Sequence, residues 1–197
     1  MTTIYLIRHS AYENPRQILH GRLPGFPLSP EGKKMAKRLA RFLAKKPIRA
    51  VYTSRLTRAR ETAQIVARTF HLRVGIDPRL LDIKTPLQGK PQAYIQAIDS
   101  DFYRPEFIKR GGERLREVFG RTDRFLREKA KKHAGESIVV VSHGDPIMSV
   151  GTRYSGKRLP RKYTLKKWYV PMASGFKIVF DAAGHPKKIS RLPKFTT

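Results

Sequence analysis

Short apolar runs alternate along this chain with longer segments in which apolar residues recur at helical spacing. Five runs predict β-strands, at residues 4–7, 48–53, 72–76, 138–142 and 174–181, the last of them as an edge strand. Four segments predict helices, at residues 30–46, 57–70, 113–133 and 145–154. This alternation of strands and helices is typical of an α/β fold with parallel strands.

The remaining segments show neither the alternation of a strand nor the apolar spacing of a helix. Residues 10–29 are rich in Pro and Gly and predict a loop that covers the carboxyl ends of the strands. Residues 77–91 predict a second loop, and residues 92–108 are expected to hold a short helix. Ser29 precedes Pro30, so the first helix is predicted to have Ser as its N-cap and Pro in its first turn.

Length and composition indicate a single domain, residues 1–197, because 197 residues with 40% hydrophobic content suffice for one sizeable core. No window approaches the roughly 20 apolar residues that a membrane span needs, and the apolar run after Met1 ends at Arg8-His9, unlike a signal peptide. We therefore expect a cytoplasmic protein without membrane association. The absence of Cys excludes disulfides, thiolate metal sites and cysteine nucleophiles.

The chain is strongly basic. Lys and Arg total 42 against 15 Asp and Glu, which gives a formal net charge of +27. The basic residues are spread along the chain, in pairs such as Lys33-Lys34, Lys131-Lys132 and Lys166-Lys167. Such a charge attracts phosphorylated and nucleic-acid ligands. Two interpretations remain open, namely solvated helix faces and loops or dedicated nucleic-acid binding.

Two histidines stand where predicted strands end. Arg8-His9 follows the first run and His143 follows the run at residues 138–142. Ligands of open α/β sheets bind beyond the carboxyl ends of the strands, so both imidazoles are expected to face one crevice. An arginine fork binds phosphate oxygens, and a neutral imidazole beside it can attack phosphorus. The alternatives are a strand-end Arg paired with a carboxylate, a His bonded to backbone, or metal ligation, which the adjacent guanidinium charge opposes.

Arg58 provides a second cation for the same crevice. It lies just after the second predicted strand, at the start of a predicted helix whose free amides and positive dipole end also favour an anion. The alternative is a solvated arginine on the helix face, which we expect for Arg55 and Arg60.

Four motifs lie in order along the chain: Leu6-Ile7-Arg8-His9; Gly21-Arg22 with Pro27-Leu28-Ser29 and Gly32; Ser54-x-Leu56-x-Arg58-Ala59 with Thr62-Ala63; and Val141-Ser142-His143-Gly144. Together they resemble the motifs of the histidine phosphatase superfamily, also called the phosphoglycerate mutase-like family. The resemblance implies a three-layer α/β/α sandwich with a mostly parallel central sheet. It also implies that His9 is the phosphorylated nucleophile, with Arg8, Arg58 and His143 around the phosphoryl group.

Three residues of the loop at 10–29 are further candidates. Glu13-Asn14 follow His9 one position short of the spacing usual in the family, and Ser10 replaces its usual Gly. We expect Asn14 and Arg22 to contact the substrate phosphate. His20 is expected to be solvated, with substrate contact as the alternative.

The proton donor is expected in the loop at residues 77–91. The family usually has Glu in a Leu-x-Glu segment, whereas this chain has Leu80-Leu81-Asp82, and the run that follows is one residue shorter. Asp82 is therefore the candidate acid, with capping of the loop as its alternative role. Glu113 is the second candidate, or else a charge at a helix N-terminus.

These residues predict a metal-independent histidine acid-type phosphatase that hydrolyses phosphomonoesters through phosphohistidine on His9 and needs no cofactor. Transfer between substrate hydroxyls, as in a phosphoglycerate mutase, is an alternative, although the segment after Gly89 lacks the long insertion that the resemblance implies for a mutase. A non-enzymatic basic module that binds phosphate or nucleic acid is another. The expected partner is a small phosphorylated molecule, with weak, non-specific nucleic-acid binding besides.

Overall fold

Six strands among the described residues form one mixed sheet. In this computed structural model, which describes residues 1–163 and 169–195, they are β1 (Thr2–Arg8), β2 (Ile48–Thr53), β3 (Val74–Ile76), β4 (Ser137–Ser142), β5 (Gly175–Phe180) and β6 (Pro186–Arg191). Their order is β3-β2-β4-β1-β5-β6. β1 to β4 are parallel, β5 is antiparallel to β1, and β6 is antiparallel to β5. The Lys166-Lys167 pair lies outside the described residues.

Helices cover both faces of the sheet. They are α1 (Pro30–Ala44), α2 (Thr57–Arg68), α3 (Gln92–Ala97), α4 (Pro105–Lys109), α5 (Leu115–Lys132) and α6 (Gly144–Tyr154), with a 3-10 turn at Pro78–Leu80. Side chains of β1 alternate between the faces, so Ile4 and Leu6 pack with α5 and α6, whereas Tyr5 and Ile7 pack with α1 and α2. The implied three-layer α/β/α sandwich is therefore confirmed. No helix in the described part of the chain is long and apolar enough to cross a membrane.

The predicted edge strand was placed wrongly. The run at residues 174–181 is β5, which pairs on both sides, and the edge is β6, for which the sequence showed no signal. β6 contains Lys187, Lys188 and Arg191, and most of its residues are exposed. A strand paired on one side only, with few buried positions, does not need the apolar alternation by which strands are found. Residues 92–108 also differ, since they hold two short helices instead of one.

The topology brings three strand ends together. β4 lies between β1 and β2, and in its register Arg8 is opposite Ser142 while Thr53 is opposite Val141. The backbone N–H of His9 then donates to the carbonyl of Ser142 at 3.0 Å. Residues that follow these strands therefore lie at one edge of the sheet, as expected for an open α/β fold.

The N-terminus of α1 is stabilised as the sequence predicts. Oγ of Ser29 accepts a hydrogen bond from the backbone N–H of Gly32 at 3.0 Å, and Pro30 fits the first turn. Met35, Leu39 and Leu43 lie on the buried face of the helix. The helix thus begins directly after the loop at residues 10–29 and holds the end of that loop against the sheet.

Replacing this cap should cost stability without disturbing the site. Ser29→Ala is expected to lower the free energy of unfolding by about 1 kcal/mol, because one N–H of the first turn loses its acceptor. Urea unfolding followed by circular dichroism measures the change. Ser155→Ala, at an exposed position with no side-chain hydrogen bond among those in the described residues, is the matched control. Equal effects of the two substitutions would contradict the capping role.

Candidate active site

The ends of β1 and β4 place two imidazoles in contact at the bottom of a cleft. His9 directly follows β1, and His143 follows β4 as the N-cap of α6. Their ring centroids are 5.2 Å apart, and both side chains are almost completely buried. The structure thus brings the two histidines together, and His9 lines the cavity.

Arg58 joins these two histidines. It is the second residue of α2 and is fully buried. Its Nε donates to Nε2 of His9 at 3.2 Å. Its Nη2 lies 3.2 Å from Nδ1 of His143, 3.1 Å from Oδ2 of Asp82 and 2.9 Å from the carbonyl of Gly21. Arg58 is therefore a central group of the cleft, whereas Arg55 and Arg60 are exposed as expected.

Two guanidinium nitrogens in the site have no partner. Nε of Arg8 and Nη1 of Arg58 are buried and make no hydrogen bond within the described part of the chain. The rest of Arg8 is held in place, since its Nη1 donates to the carbonyl of Val170 at 2.9 Å and its guanidinium lies 5.2 Å above the ring of Tyr169. Buried charged donors without an acceptor are costly, and an anion bound close to them would offset this cost.

The surroundings of His9 favour its neutral, nucleophilic form. Its Nδ1 lies 2.9 Å from the carbonyl oxygen of Ser10. Because a carbonyl only accepts hydrogen bonds, Nδ1 must carry the hydrogen, which assigns the Nδ1–H tautomer. The lone pair of Nε2 is then free to accept from Arg58. Burial lowers the pKa of His9 well below its usual value, and the charges of Arg58 and Arg8 lower it further.

His143 is oriented by a residue to which the sequence assigned no role. Oγ of Ser54, at the end of β2, lies 2.8 Å from Nε2 of His143. The other ring nitrogen, Nδ1, faces Arg58 and lies 3.7 Å from the carboxylate of Asp82. Burial and the charge of Arg58 lower the pKa of His143 well below its usual value. Ser54 belongs to the third sequence motif, four residues before Arg58, and this position could have identified it as a site residue.

Asp82 directs its carboxylate into the cleft. Oδ1 accepts from the backbone N–H of Ile83 at 2.9 Å, and Oδ2 faces Arg58 and His143. The side chain lines the cavity and is 15% exposed. A carboxyl group at this place can exchange a proton with a bound molecule. Its hydrogen bond to Ile83 also matches the capping role that was its alternative.

The loop that carries Asp82 is fixed from behind by two arginines. Arg121 donates to the carbonyls of Arg79, Leu81 and Asp82, at 2.7 to 3.1 Å. Arg22 donates to the carbonyl of Asp82 at 2.7 Å, and both guanidinium groups pair with Glu113. Glu113 is occupied by these two arginines behind the loop, whereas the carboxylate of Asp82 lines the cavity, so the geometry favours Asp82 over Glu113 as the acid.

Arg22 and Asn14, two candidates of the loop at residues 10–29, have different surroundings. Arg22 does not line the cavity within the described residues and holds the Asp82 loop instead. Asn14 lines the cavity, but its amide exchanges two hydrogen bonds with the backbone of Ile18, at 2.9 and 3.2 Å. Phosphate contact by Asn14 or Arg22 stays a prediction.

His20 is not solvated, so that expectation was wrong. Its side chain is 15% exposed, lines the cavity, and lies 3.0 Å from the hydroxyl of Tyr12 and 3.7 Å from the carboxylate of Asp82. Burial and the charge of Arg58 lower its pKa to about 3. His20 is therefore a neutral group facing the cleft.

The cleft contains one acidic residue that sequence reasoning missed. The cavity has a volume of about 280 Å³, and Asp145 lies in its wall with Tyr169 and Met172, on the side formed by α6 and the segment before β5. The hydroxyls of Tyr103 and Tyr169 both donate to the carboxylate of Asp145. The position of Asp145 two residues after His143 could have marked it as a site residue. Its tyrosine partners could not be found in this way, because they come from distant segments.

Comparisons with known proteins agree with this geometry. The model of the histidine phosphatase superfamily (branch 1) matches residues 4–184. Phosphoserine phosphatase 1 of Hydrogenobacter thermophilus is 32% identical over 158 residues, covering 76% of this chain and 74% of that protein. Phosphoglycerate mutase-like protein 4 of Arabidopsis thaliana is 35% identical over 163 residues, covering 76% and 70%. The solved structure of Bacillus stearothermophilus YhfR, 27% identical, has a TM-score of 0.81 with 95% of both chains covered. The chain belongs to the histidine phosphatase superfamily.

Proposed function

We propose that this protein is a metal-independent phosphatase that hydrolyses phosphate monoesters through a phosphohistidine on His9. Family membership supports this function, and phosphoserine phosphatase 1 is one of the similar proteins. The observation that carries the proposal is the pair of unpartnered, buried guanidinium nitrogens of Arg8 and Arg58 beside the lone pair of His9. They provide two donors for a phosphoryl group next to a nucleophile.

In the first half of the reaction, Nε2 of His9 attacks phosphorus in line with the ester oxygen. The new P–N bond forms while the P–O bond to the alcohol breaks, and Asp82, in its protonated form, transfers its proton to the leaving oxygen. Arg8 and Arg58 hold the negative charge that builds on the other phosphoryl oxygens. The carbonyl of Ser10 stabilises the positive charge that the ring of His9 acquires.

His143 takes part through its protonation state. In the free protein Arg58 and burial keep it neutral, with Nδ1 as an acceptor. A phosphate dianion beside it opposes both effects, because a nearby negative charge favours imidazolium. The protonated Nδ1 then donates to a phosphoryl oxygen. His143 thus contributes positive charge when the anion is present.

In the second half, water attacks the phosphorus of phosphohistidine. The carboxylate of Asp82 accepts the proton of this water, the P–N bond breaks, and its electrons return to Nε2 of His9. Inorganic phosphate leaves and the site is regenerated. The guanidinium groups supply the positive charge that a metal ion provides in other phosphatases, so the proposed reaction uses no metal.

Water is favoured over a second alcohol as the acceptor. The segment from Asp82 to the start of α5 contains only α3, α4 and short connections among its described residues, and it leaves the cavity open to solvent. Transfer between hydroxyls, as the name of the Arabidopsis phosphoglycerate mutase-like relative implies for that protein, requires the cavity to exclude water. Hydrolysis is therefore the main proposal. A cytoplasmic location stays a prediction.

The nucleophile is tested by substitution and trapping. His9→Ala is expected to abolish turnover of p-nitrophenyl phosphate and to leave no covalent phosphate, because no other neutral imidazole faces Arg8 and Arg58 in the same way. The reaction is run with EDTA, and phosphate on the quenched protein is mapped by mass spectrometry. His185→Ala, an exposed residue, is the control and should react normally. Phosphate on another residue, or loss of activity with EDTA, would contradict the mechanism.

The acid is tested by the leaving group. Asp82→Asn should slow hydrolysis of alkyl phosphates by roughly a hundredfold or more, because an alkoxide leaves poorly without a proton. Hydrolysis of aryl phosphates should suffer much less, since a phenolate needs no proton. The measurement is kcat for both substrate types in both proteins. Equal losses would show that Asp82 only positions the loop, and Glu113→Gln would be measured next.

Nucleic-acid binding is expected to be weak and indifferent to sequence. Binding that neutralises six to ten phosphates should weaken by about a thousandfold or more between 50 and 200 mM salt. Turnover of a phosphomonoester, whose single phosphoryl group meets Arg8 and Arg58, should change by about tenfold or less. Fluorescence anisotropy with labelled duplexes and an activity assay compare the two. Tight, sequence-selective binding at physiological salt, without hydrolysis of a phosphomonoester, would contradict the phosphatase proposal and support a nucleic-acid-binding module instead.

A further inference from the structure

An acidic side chain lies in the wall of a cleft that otherwise suits an anion. Asp145 is the second residue of α6, is 5% exposed and lines the same cavity as Arg8 and His9. A carboxylate near a bound phosphoryl group repels it, more strongly in a poorly solvated site than in water. The proposed hydrolysis gives Asp145 no role. Its position therefore requires a separate explanation.

Two tyrosine hydroxyls donate hydrogen bonds to the carboxylate of Asp145. The hydroxyl of Tyr103 donates to Oδ2, and the hydroxyl of Tyr169 donates to Oδ1 at 2.5 Å. Both phenol protons are thereby used, so the hydroxyl oxygens present lone pairs and the carboxylate keeps further lone pairs. We call Tyr103, Asp145 and Tyr169 the acceptor cluster. Such a cluster binds a donor and disfavours a carboxylate or a second phosphate.

The backbone is arranged to allow these contacts. A Cβ at Gly144 would lie 2.0 Å from the hydroxyl oxygen of Tyr169, so only glycine lets this tyrosine reach Asp145. Burial and the neighbouring carboxylate raise the pKa of both phenols, which keeps them protonated as donors. Burial raises the pKa of Asp145 to about 6, against the opposite effect of the two hydrogen bonds. The two phenol hydrogen bonds favour its ionised form.

Asp145 forms no ion pair with a cation of the described residues, and the charge of Arg8 acts on it only from farther away. Among the described residues, no Lys, Arg or His lies within 4.0 Å of its carboxylate, although the cleft contains two arginines. Arg8 stacks on the ring of Tyr169 and donates to the carbonyl of Val170, and Arg58 pairs with Asp82. A buried carboxylate without a counter-ion is costly, and a bound cation removes that cost.

Resting on the proposed phosphatase function, we propose that Asp145 binds a protonated amine in the alcohol part of the substrate. The substrates are then phosphate monoesters of amino alcohols, with the phosphoryl group at Arg8 and Arg58 and the ammonium group at the acceptor cluster. An ammonium group has three donors and a positive charge, which suit the carboxylate of Asp145 and the hydroxyl oxygen of Tyr169 in the cavity wall, while Tyr103 holds the carboxylate from outside the wall. The apolar residues Leu19, Ile95 and Phe102 also line the cavity and offer a surface for the carbon chain between the two ends.

Three alkyl phosphates of nearly equal size test this assignment. Phosphoethanolamine ends in an amine, propyl phosphate in a methyl group and phosphoglycolate in a carboxylate. In the wild-type protein kcat/KM should be highest for the amine and lowest for the acid. In Asp145→Asn, the ratio of kcat/KM for phosphoethanolamine to that for propyl phosphate should fall by about tenfold or more, the worth of a charge-assisted hydrogen bond. The corresponding ratio for phosphoglycolate should rise.

The controls separate charge from packing. Asp123→Asn is matched, because Asp123 also accepts from a tyrosine, Tyr154, at 2.7 Å, but lies outside the cavity wall on α5. It should leave both ratios as in the wild type. Tyr103→Phe keeps the carboxylate charge, so this variant should still prefer phosphoethanolamine over propyl phosphate. This comparison does not require the Asn variant to fold, and loss of the preference would contradict the proposal. Circular dichroism checks folding of each variant.

The outcomes also distinguish this subsite from the phosphatase function. Unchanged ratios in folded Asp145→Asn would mean that Asp145 only holds the two tyrosines in place, and the amine proposal would be wrong. That result leaves the phosphatase function intact as long as His9→Ala abolishes propyl phosphate hydrolysis. Hydrolysis of propyl phosphate that persists in His9→Ala would overturn the proposed phosphohistidine route instead.

Discussion

The site depends on one fully buried guanidinium group. Moving Arg58 out of water is costly, and its burial lowers its pKa from the usual range. The carboxylate of Asp82 at 3.1 Å and the carbonyl of Gly21 at 2.9 Å offset this cost. The same group orients His9 and His143 through further hydrogen bonds. Because its partners come from separate segments, the folded sheet must form before the site exists.

Burying this charge has a consequence for stability. The pKa values of His9, His20 and His143 are lowered, so the folded protein binds fewer protons than the unfolded chain once the pH falls below about 6.5. Stability therefore decreases as the pH falls, by about 2 kcal/mol at pH 5 for each histidine that stays neutral. Asp145 acts in the opposite sense, since its raised pKa lets the folded state bind a proton first. The burial that keeps His9 neutral therefore lowers the stability of the folded protein at acidic pH.

The sequence predicted the arginine and histidine cluster of the site better than the acceptor cluster. Arg8, His9, Arg58 and His143 all lie at or just after strand ends, which apolar runs reveal, and parallel strands must bring these ends together. The acceptor cluster has no such pattern, because Tyr103 and Tyr169 reach Asp145 from segments 42 and 24 residues away. β6 was not predicted for a different reason, because an edge strand with exposed lysines shows no apolar alternation.

This difference follows from how the cavity is built. The end that contains Arg8 and His9 is formed by the ends of β1, β2 and β4, whose positions the central sheet determines, so changes there would disturb the core. The other end of the cavity combines Asp145, at the start of α6, with Tyr169 and other loop residues, and loops accept substitutions without loss of the sheet. An enzyme of this construction can change the alcohol it accepts while keeping its reaction. A carboxylate at Asp145 alters the charge of the second end and leaves Arg58 and its partners as they are.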